Sequence, residues 1–316
     1  NREPVYSQYA PGCFVNAVGL TNPGARVAAE LMADLRVPED RFLLTSIFGG
    51  SVEEFVEVAK IMAPVSDGLE LNLSCPHATG YGMAMGQDPA LVKEITAAVK
   101  AAVDIPVVPK LTPNTPNIAE IALAAVEGGA DAICAINTLG PGYTSAHGHP
   151  VLSNGAGGMS GKAVLPIALK CIREIRAVCD LPIIGCGGIS SAADVRETMD
   201  AGADIVGVGS ALTGLTTAEM ADYFNQLESD ICFDSNKAEN HIRYDIDMNF
   251  EPVVLVNNER ICDDICVLTF DRKINIQAGE FVFLWVPGVG EKPFSALADD
   301  PFQLAVIDVG IFTHAL

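Results

Sequence analysis

Residues 182–190 read Pro-Ile-Ile-Gly-Cys-Gly-Gly-Ile-Ser, and residues 204–210 read Asp-Ile-Val-Gly-Val-Gly-Ser. Each is a short apolar run ending in glycine, and amphipathic sequence follows each one. Glycines at two neighbouring strand ends let backbone N–H groups approach an anion, and the helix that follows adds its positive end. Glycine used only for tight strand-to-helix turns is the simpler reading. Working outward, the same unit recurs. Apolar runs at 43–48, 69–74, 107–112, 132–138, 182–187 and 204–210 alternate with helical patterns at 51–62, 89–103, 117–128, 162–178, 192–201 and 218–228. Near-continuous apolar strands between helices predict a parallel sheet covered on both faces. Ser51, before Val-Glu-Glu, and Asp88, before Pro89, predict helix N-caps.

Barrel or open sheet is decided by where the polar residues sit. Asn72 and Ser74, Lys110, Asn137 and Thr138, Gly187 and Gly188, and Gly209 and Ser210 all fall at the C-terminal ends of their strands. A ring drawn from every strand is a barrel arrangement, whereas an open sheet gathers such residues at one switch point. The expected fold is therefore α/β, a (β/α)8 TIM barrel. Six units are visible, so its first two strands are expected upstream of Asn1, where the chain opens without a methionine. Leu139–Ser160, rich in Gly, Ser and His, reads as an active-site loop. After the polar stretch 233–243 the period changes. Runs at 253–256, 265–270, 280–286 and 303–306, broken by Asn257-Asn258, Asp271-Arg272 and Pro287-Gly288, predict a small antiparallel sheet or barrel. That second unit is expected to be cut at Leu316, as a helix begins. The domain boundaries expected are 1–232 and 244–316.

Composition narrows the function. Hydrophobic residues make up 49% and charged residues 19%, a globular balance. Forty acidic against 19 basic residues give a net charge of −21. Such a surface repels phosphate backbones and anionic lipid, so neither nucleic acid nor a membrane is expected as partner. Nine cysteines show no Cys-x-x-Cys pair and no metal-ligand spacing, so no metal is expected. Most sit in apolar runs as small hydrophobes, and their odd count suggests a reducing, cytoplasmic setting.

Two residues carry chemistry. Cys75, in Leu71-Asn-Leu-Ser-Cys-Pro-His77, lies just past a strand end. A thiol there can accept a proton when its thiolate is locally favoured, or be a buried structural cysteine. Lys110, inside Val107-Val-Pro-Lys-Leu-Thr-Pro113, must reach an anion or an electron-rich ring, or else snorkel to solvent. His77, His147 and His149 read as loop polar groups.

Seven motifs in order carry a resemblance: Asn16-Ala-Val-Gly-Leu-Thr-Asn-Pro-Gly24, Asn72-Leu-Ser-Cys-Pro-His77, Lys110-Leu-Thr-Pro-Asn114, Ile136-Asn-Thr138, Gly157-Gly-Met-Ser-Gly161, Gly185-Cys-Gly-Gly188 and Val208-Gly-Ser210. Together they resemble dihydroorotate dehydrogenases, of the type with a cysteine base and a separate electron-transfer subunit. The later segment resembles the start of that subunit, a ferredoxin-reductase-like FAD barrel. Lys292-Pro293-Phe294-Ser295 stands at its flavin motif and Asp308-Val-Gly310-Ile-Phe-Thr313 at its FAD-diphosphate turn.

The resemblance implies FMN at the barrel mouth, its phosphate held by Gly161, Gly187, Gly188, Gly209 and Ser210, with Lys110 facing its ring and Asn72 and Ile136 among the other cofactor contacts. Asn16, Gly19, Leu20, Asn72, Asn137 and Thr138 would hold the pyrimidine, dihydroorotate or orotate. Cys75 would take the proton from C5 as hydride leaves C6, with Lys110 stabilising the charge of reduced flavin. Electrons would pass to FAD, and to NAD and an iron–sulfur cluster only through parts outside this chain. Cys262 and Cys266 do not match the cluster cysteines. Relatives of this kind pair their barrels, so a homo-oligomer is expected. His77 replaces the usual asparagine, as in dihydropyrimidine dehydrogenases acting on uracil and thymine, which keeps that substrate class open. A non-catalytic remnant is the remaining alternative. A flavin barrel acting on transfer RNA is opposed by the charge.

Overall fold

The structure, a computed structural model, describes residues 2–74, 85–244, 248–277 and 280–316. An antiparallel pair opens the chain, β1 (Tyr6–Ala10) and β2 (Cys13–Asn16), and helix α1 (Ala25–Ala33) follows. Strand–helix units come next: β3 (Leu44–Ile47) with α2 (Val52–Met62), β4 (Gly68–Asn72) with α3 (Pro89–Lys100), and β5 (Val107–Leu111) with α4 (Ile118–Glu127). Strand β6 (Ile133–Ala135) leads into short strands β7 (Leu139–Gly142), β8 (Ser145–Ala146), β9 (His149–Pro150) and β10 (Gly157–Gly161). Then come α5 (Leu165–Arg176), β11 (Ile183–Cys186), α6 (Ala192–Asp200), β12 (Ile205–Gly207) and α7 (Thr217–Phe233).

The six strands β3-β4-β5-β6-β11-β12 pair in that order, all parallel. Spatial order follows chain order with no reversal, whereas a doubly wound sheet reverses at a switch point. Each helix from α1 to α7 packs against the next in the chain. The result is a curled half-barrel with a coil of helices outside it. Odd-numbered strand residues (Ile47, Leu69, Leu71, Leu111, Ile133, Ile183) share one core with the helices' apolar stripes, such as Phe55, Ile95, Ile121 and Ile172. Burying each such side chain contributes about 1.5–3 kcal/mol. The even-numbered face is the polar one. Pairing brings Asn72 opposite Lys110 and Lys110 opposite Cys134, with Glu70, Ile184 and Cys186 on the same side. Thus helices cover one face, not both, and the other lines the interior.

The helix starts follow from their caps. Ser51 accepts from the Glu54 N–H, and Asp88 accepts from Ala90 and Leu91 ahead of Pro89. Helix α7 runs further than its sequence pattern, from 217 to 233. The stretch Leu139–Ser160, expected as a loop, instead carries four strands. β10 pairs with β2 and β7 to give a second, antiparallel sheet in the order β1-β2-β10-β7. Glycine permits this approach, because a Cβ on Gly158 would strike the Thr138 side chain and one on Gly157 the Asn16 carbonyl.

The C-terminal part is a five-stranded antiparallel sheet in the order β13-β14-β17-β16-β15. Its strands are β13 (Leu255–Cys262), β14 (Ile265–Phe270), β15 (Phe281–Val286), β16 (Gly290–Asp299) and β17 (Phe302–Ile307), around Leu268, Phe270, Phe302, Leu304 and Val306. Two expectations change. Asn257-Asn258 does not break a strand but lies inside β13, and Lys292–Ser295 lies within β16, which the sequence pattern did not mark. The chain's last residues form a 3-10 turn, Thr313–Ala315. Among the described residues no helix is long and apolar enough to cross a membrane.

Candidate functional site

A cavity of about 430 Å³ lies at the C-terminal end of the half-barrel, beneath the small sheet. β2 ends at Asn16 and delivers Gly19 and Leu20 in the loop beyond it; β4 ends at Asn72; Asn137 and Thr138 follow β6. All six residues expected at the pyrimidine line this cavity. Their amides are held by hydrogen bonds within the protein. Asn137 Nδ2 donates to Asn72 Oδ1 at 3.1 Å, the Asn137 backbone N–H donates to the Leu111 carbonyl, and Asn16 Nδ2 donates to the Gly158 carbonyl at 3.3 Å. Sequence reasoning gave no role to three further lining residues, Ser74, Asn114 and Asn154. Asn114 donates to the Thr138 carbonyl at 3.1 Å and accepts from the Gly140 N–H at 2.9 Å, tying the segment after β6 to the end of β5. It ends a quoted motif, which was its available signal. The Ser74 hydroxyl is buried with no protein partner among the described residues. Five asparagines and that hydroxyl offer both donors and acceptors, suited to a small planar ligand with carbonyls and ring N–H groups. Cys75 and His77 lie outside the described residues.

Below the cavity a charge cluster occupies the concave face. Lys110 Nζ lies 3.4 Å from Glu70 Oε1, with both side chains largely buried. Burial works against the ammonium. The Cys134 and Cys186 sulfurs and the Glu70 carboxylate outweigh it, so Lys110 titrates above the usual lysine range and stays charged. The carboxylate facing this lysine is Glu70, one strand away. Cys134 and Cys186 face each other from β6 and β11 with their sulfurs 3.8 Å apart, and the Cys186 thiol donates to the Ile136 carbonyl at 3.2 Å. Ile136 is buried, and its N–H returns a bond to the Cys186 carbonyl at 2.9 Å.

The glycine loops converge beside this cluster. A Cβ on Gly188 would fall 2.8 Å from the Gly161 carbonyl and from the Leu165 nitrogen, so these two backbones touch. Gly187 and Gly188 both take positive φ, +125° and +79°. Cys186 pairs with Gly207, bringing the loop at Gly209 and Ser210 alongside, and a side chain on Gly209 would meet open space. Gly161 and Gly188 thus meet backbone to backbone, the Gly209–Ser210 loop follows the neighbouring strand, and the space beside Gly209 is open. Asp194 holds the loop from behind. Its carboxylate accepts from Ser190 N, Ser190 Oγ and Ser191 N at 2.9–3.0 Å and from Lys162 Nζ at 2.8 and 3.0 Å.

A second cavity, about 820 Å³, is lined by Lys292, Pro293, Phe294, Gly310, Phe312 and Thr313, together with Arg2 and Glu3 from the start of the chain. Ser295 is not among its lining residues. Thr313 Oγ1 closes the turn, accepting from Val309 N at 3.0 Å and Gly310 N at 3.1 Å. Burial, with the Glu3 carboxylate nearby, raises Glu291 at this junction to about 7.

A family profile described as "Dihydroorotate dehydrogenase" matches residues 1–229. The chain is 50% identical over 203 residues to a Methanocella arvoryzae protein named "Dihydroorotate dehydrogenase B (NAD(+)), catalytic subunit", covering 63% of this chain and 66% of that one. Proteins of the same name from Methanosarcina mazei and Pyrococcus horikoshii are 48% and 46% identical. They match 63% and 64% of this chain and 64% and 66% of their own lengths. The chain thus spans just under two thirds of the curated relatives it matches. With a profile match over most of its residues, the chain belongs to the dihydroorotate dehydrogenase family.

Proposed function

We propose that the chain oxidises dihydroorotate to orotate, using FMN, in pyrimidine biosynthesis. The observation that carries this reading is the convergence of five asparagines on one cavity, one of them, Asn72, paired across the sheet with Lys110. The residues fit the flavin: the cradle formed by Gly161, Gly187, Gly188, Gly209 and Ser210 would hold its phosphate, and Asn72, Lys110 and Ile136 its ring. Bound FMN supplies the hydride acceptor. The protein does the rest. Asn16, Gly19, Leu20, Asn72, Asn137 and Thr138 orient the pyrimidine, Cys75 takes the C5 proton, and the Lys110 cation sits where negative charge develops.

In this proposal the half-barrel is six-eighths of a TIM barrel, with domains at 1–232 and 244–316. The second domain is the start of an electron-transfer unit whose 820 Å³ cavity, at Lys292, Pro293, Phe294, Gly310 and Thr313, takes FAD, with Ser295 next in the same strand. FAD there would relay electrons towards NAD and an iron–sulfur cluster outside this chain. The protein works in the cytoplasm as a homo-oligomer, on a small molecule and not on nucleic acid or a membrane.

The test is Cys75→Ser in the full-length protein, with steady-state turnover of dihydroorotate and dihydrouracil at neutral pH. A fall of about 10²–10⁴-fold in dihydroorotate turnover is expected for loss of a general base. Unchanged activity rejects the base, and a native preference for dihydrouracil rejects the substrate in favour of the alternative His77 raises. Flavin absorbance should give two flavins per chain; one flavin rejects the FAD assignment.

A further inference from the structure

We propose that Cys134 and Cys186 form an oxidisable dithiol inside the half-barrel, which a hydroperoxide converts into a reversible cross-strand disulfide. The two residues project from neighbouring parallel strands onto the same concave face. Both thiols are free, and their sulfurs lie 3.8 Å apart. The arrangement is directional. Cys134 is buried, whereas Cys186 is half-buried at a strand end followed by Gly187 and Gly188. Lys110, on the strand beside Cys134, places a permanent cation near the pair, which favours the thiolate of Cys186, whereas burial and its neighbours keep Cys134 a thiol. The hydrogen bond from Cys134, opposed by burial and helped by Lys110, holds Cys186 below the usual thiol range. Cys186 is therefore the attacking sulfur and Cys134 the resolving one.

The step balances with the hydroperoxide as oxidant. The Cys186 sulfur attacks the terminal peroxide oxygen; an S–O bond forms, the O–O bond breaks, and the leaving oxygen departs as water or an alcohol with the thiol proton. Cys134 then attacks the sulfenic sulfur, the S–S bond forms, and the hydroxyl leaves as water with the Cys134 proton. Two thiols have lost two electrons, and the peroxide has gained them.

Closure draws the sulfurs from 3.8 Å to about 2.05 Å. Register makes this a strained bond. Cys134 pairs with Ile184, so Cys186 is diagonal to it, and the strand end at Cys186 must shift towards β6. Strained disulfides are the readily reduced ones, which suits a reversible modification and not a structural staple.

The experiment treats the full chain with hydrogen peroxide, alkylates the remaining thiols under denaturing conditions and maps the digest by mass spectrometry. The expected result is a linked peptide joining Cys134 to Cys186, lost on dithiothreitol treatment. Cys186→Ser should abolish the link and leave Cys134 alkylatable; Cys134→Ser should leave a Cys186 sulfenic acid that dimedone captures. The exposed cysteines Cys232 and Cys262 are the internal standard. If either is oxidised while Cys134 and Cys186 both remain fully alkylatable, or if either joins a different cysteine, the proposal is overturned.

Discussion

Replacing Asp194 by alanine tests the scaffold behind the glycine cradle. The carboxylate is almost wholly buried and completes a capping box with Ser191 at the start of α6, while also accepting from Ser190 and Lys162. Loss of the cap costs about 1 kcal/mol. The buried N–H groups of Ser190 and Ser191 then lack their acceptor, at about 1–3 kcal/mol each before water relaxes in. Lys162 is 39% exposed and regains water, so it adds little. The sum, about 3–7 kcal/mol, corresponds to a fall in Tm of roughly 6–28 °C at about 2–4 °C per kcal/mol. Asp194→Asn, which keeps one acceptor, should lose less than half of that. The pH dependence has a definite sign. The hydrogen bonds from Lys162 and Ser190, against the opposing effect of burial, hold Asp194 below its ordinary value of 3.8. Its stabilisation is fully present above that value and is lost as pH falls through the lower, folded-state value. Urea or thermal unfolding should therefore show a constant gap between wild type and Asp194→Asn from pH 5 to 8 that closes under acid. An Asp194→Ala shift under 2 °C, or a gap that widens in acid, would refute the reasoning.

Gly188→Ala introduces a Cβ 2.8 Å from two backbone atoms at φ +79°. It should destabilise by about 2–4 kcal/mol and abolish flavin absorbance in the purified protein. Lys110→Met leaves Glu70 buried without its cation and should cost about 1–3 kcal/mol in urea unfolding. Adding Glu70→Leu should recover part of that loss, because removing both partners of a buried pair costs less than removing one. Glu291 is raised from 4.5 to about 7 by burial and by Glu3, so the folded chain holds an extra proton between those values. Stability should fall as pH rises from 4.5 to about 7 and level off above it; Glu291→Gln should flatten that slope in thermal unfolding across pH.

The half-barrel was legible because its strands are apolar on the helix side and its helices carry their own caps; Ser51 and Asp88 act where the sequence put them. The small sheet was not. β2 pairs with β10 across more than a hundred residues, and neither Cys13-Phe-Val-Asn16 nor Gly157-Gly-Met-Ser-Gly161 has strand periodicity of its own. β16 was hidden by Pro293, which removes a ladder donor and reads as a break. In the site, Lys110 signalled its need for an anion, and Glu70, inside Leu69-Glu-Leu71, was the unread half of the pair. Asn114 and Asn154 look like ordinary turn residues, because asparagine favours turns wherever it occurs. Cys134 and Cys186 looked like small hydrophobes, and only the register of β6 against β11 brings their sulfurs together.

The unreversed strand order has a consequence for how the molecule opens. Residues of the asparagine-lined cavity and the glycine loops span Asn16 to Ser210, with contributions from nearly every strand end, so no single unit holds a usable fragment of the candidate site. A ligand seated there stabilises only states in which all the units are in register. At a hundredfold excess over its dissociation constant it adds about 2.7 kcal/mol to that state alone. Amide hydrogen exchange at β3 and β12, the two ends of the sheet order, should then slow by the same factor, turning six locally built units into one cooperative opening event.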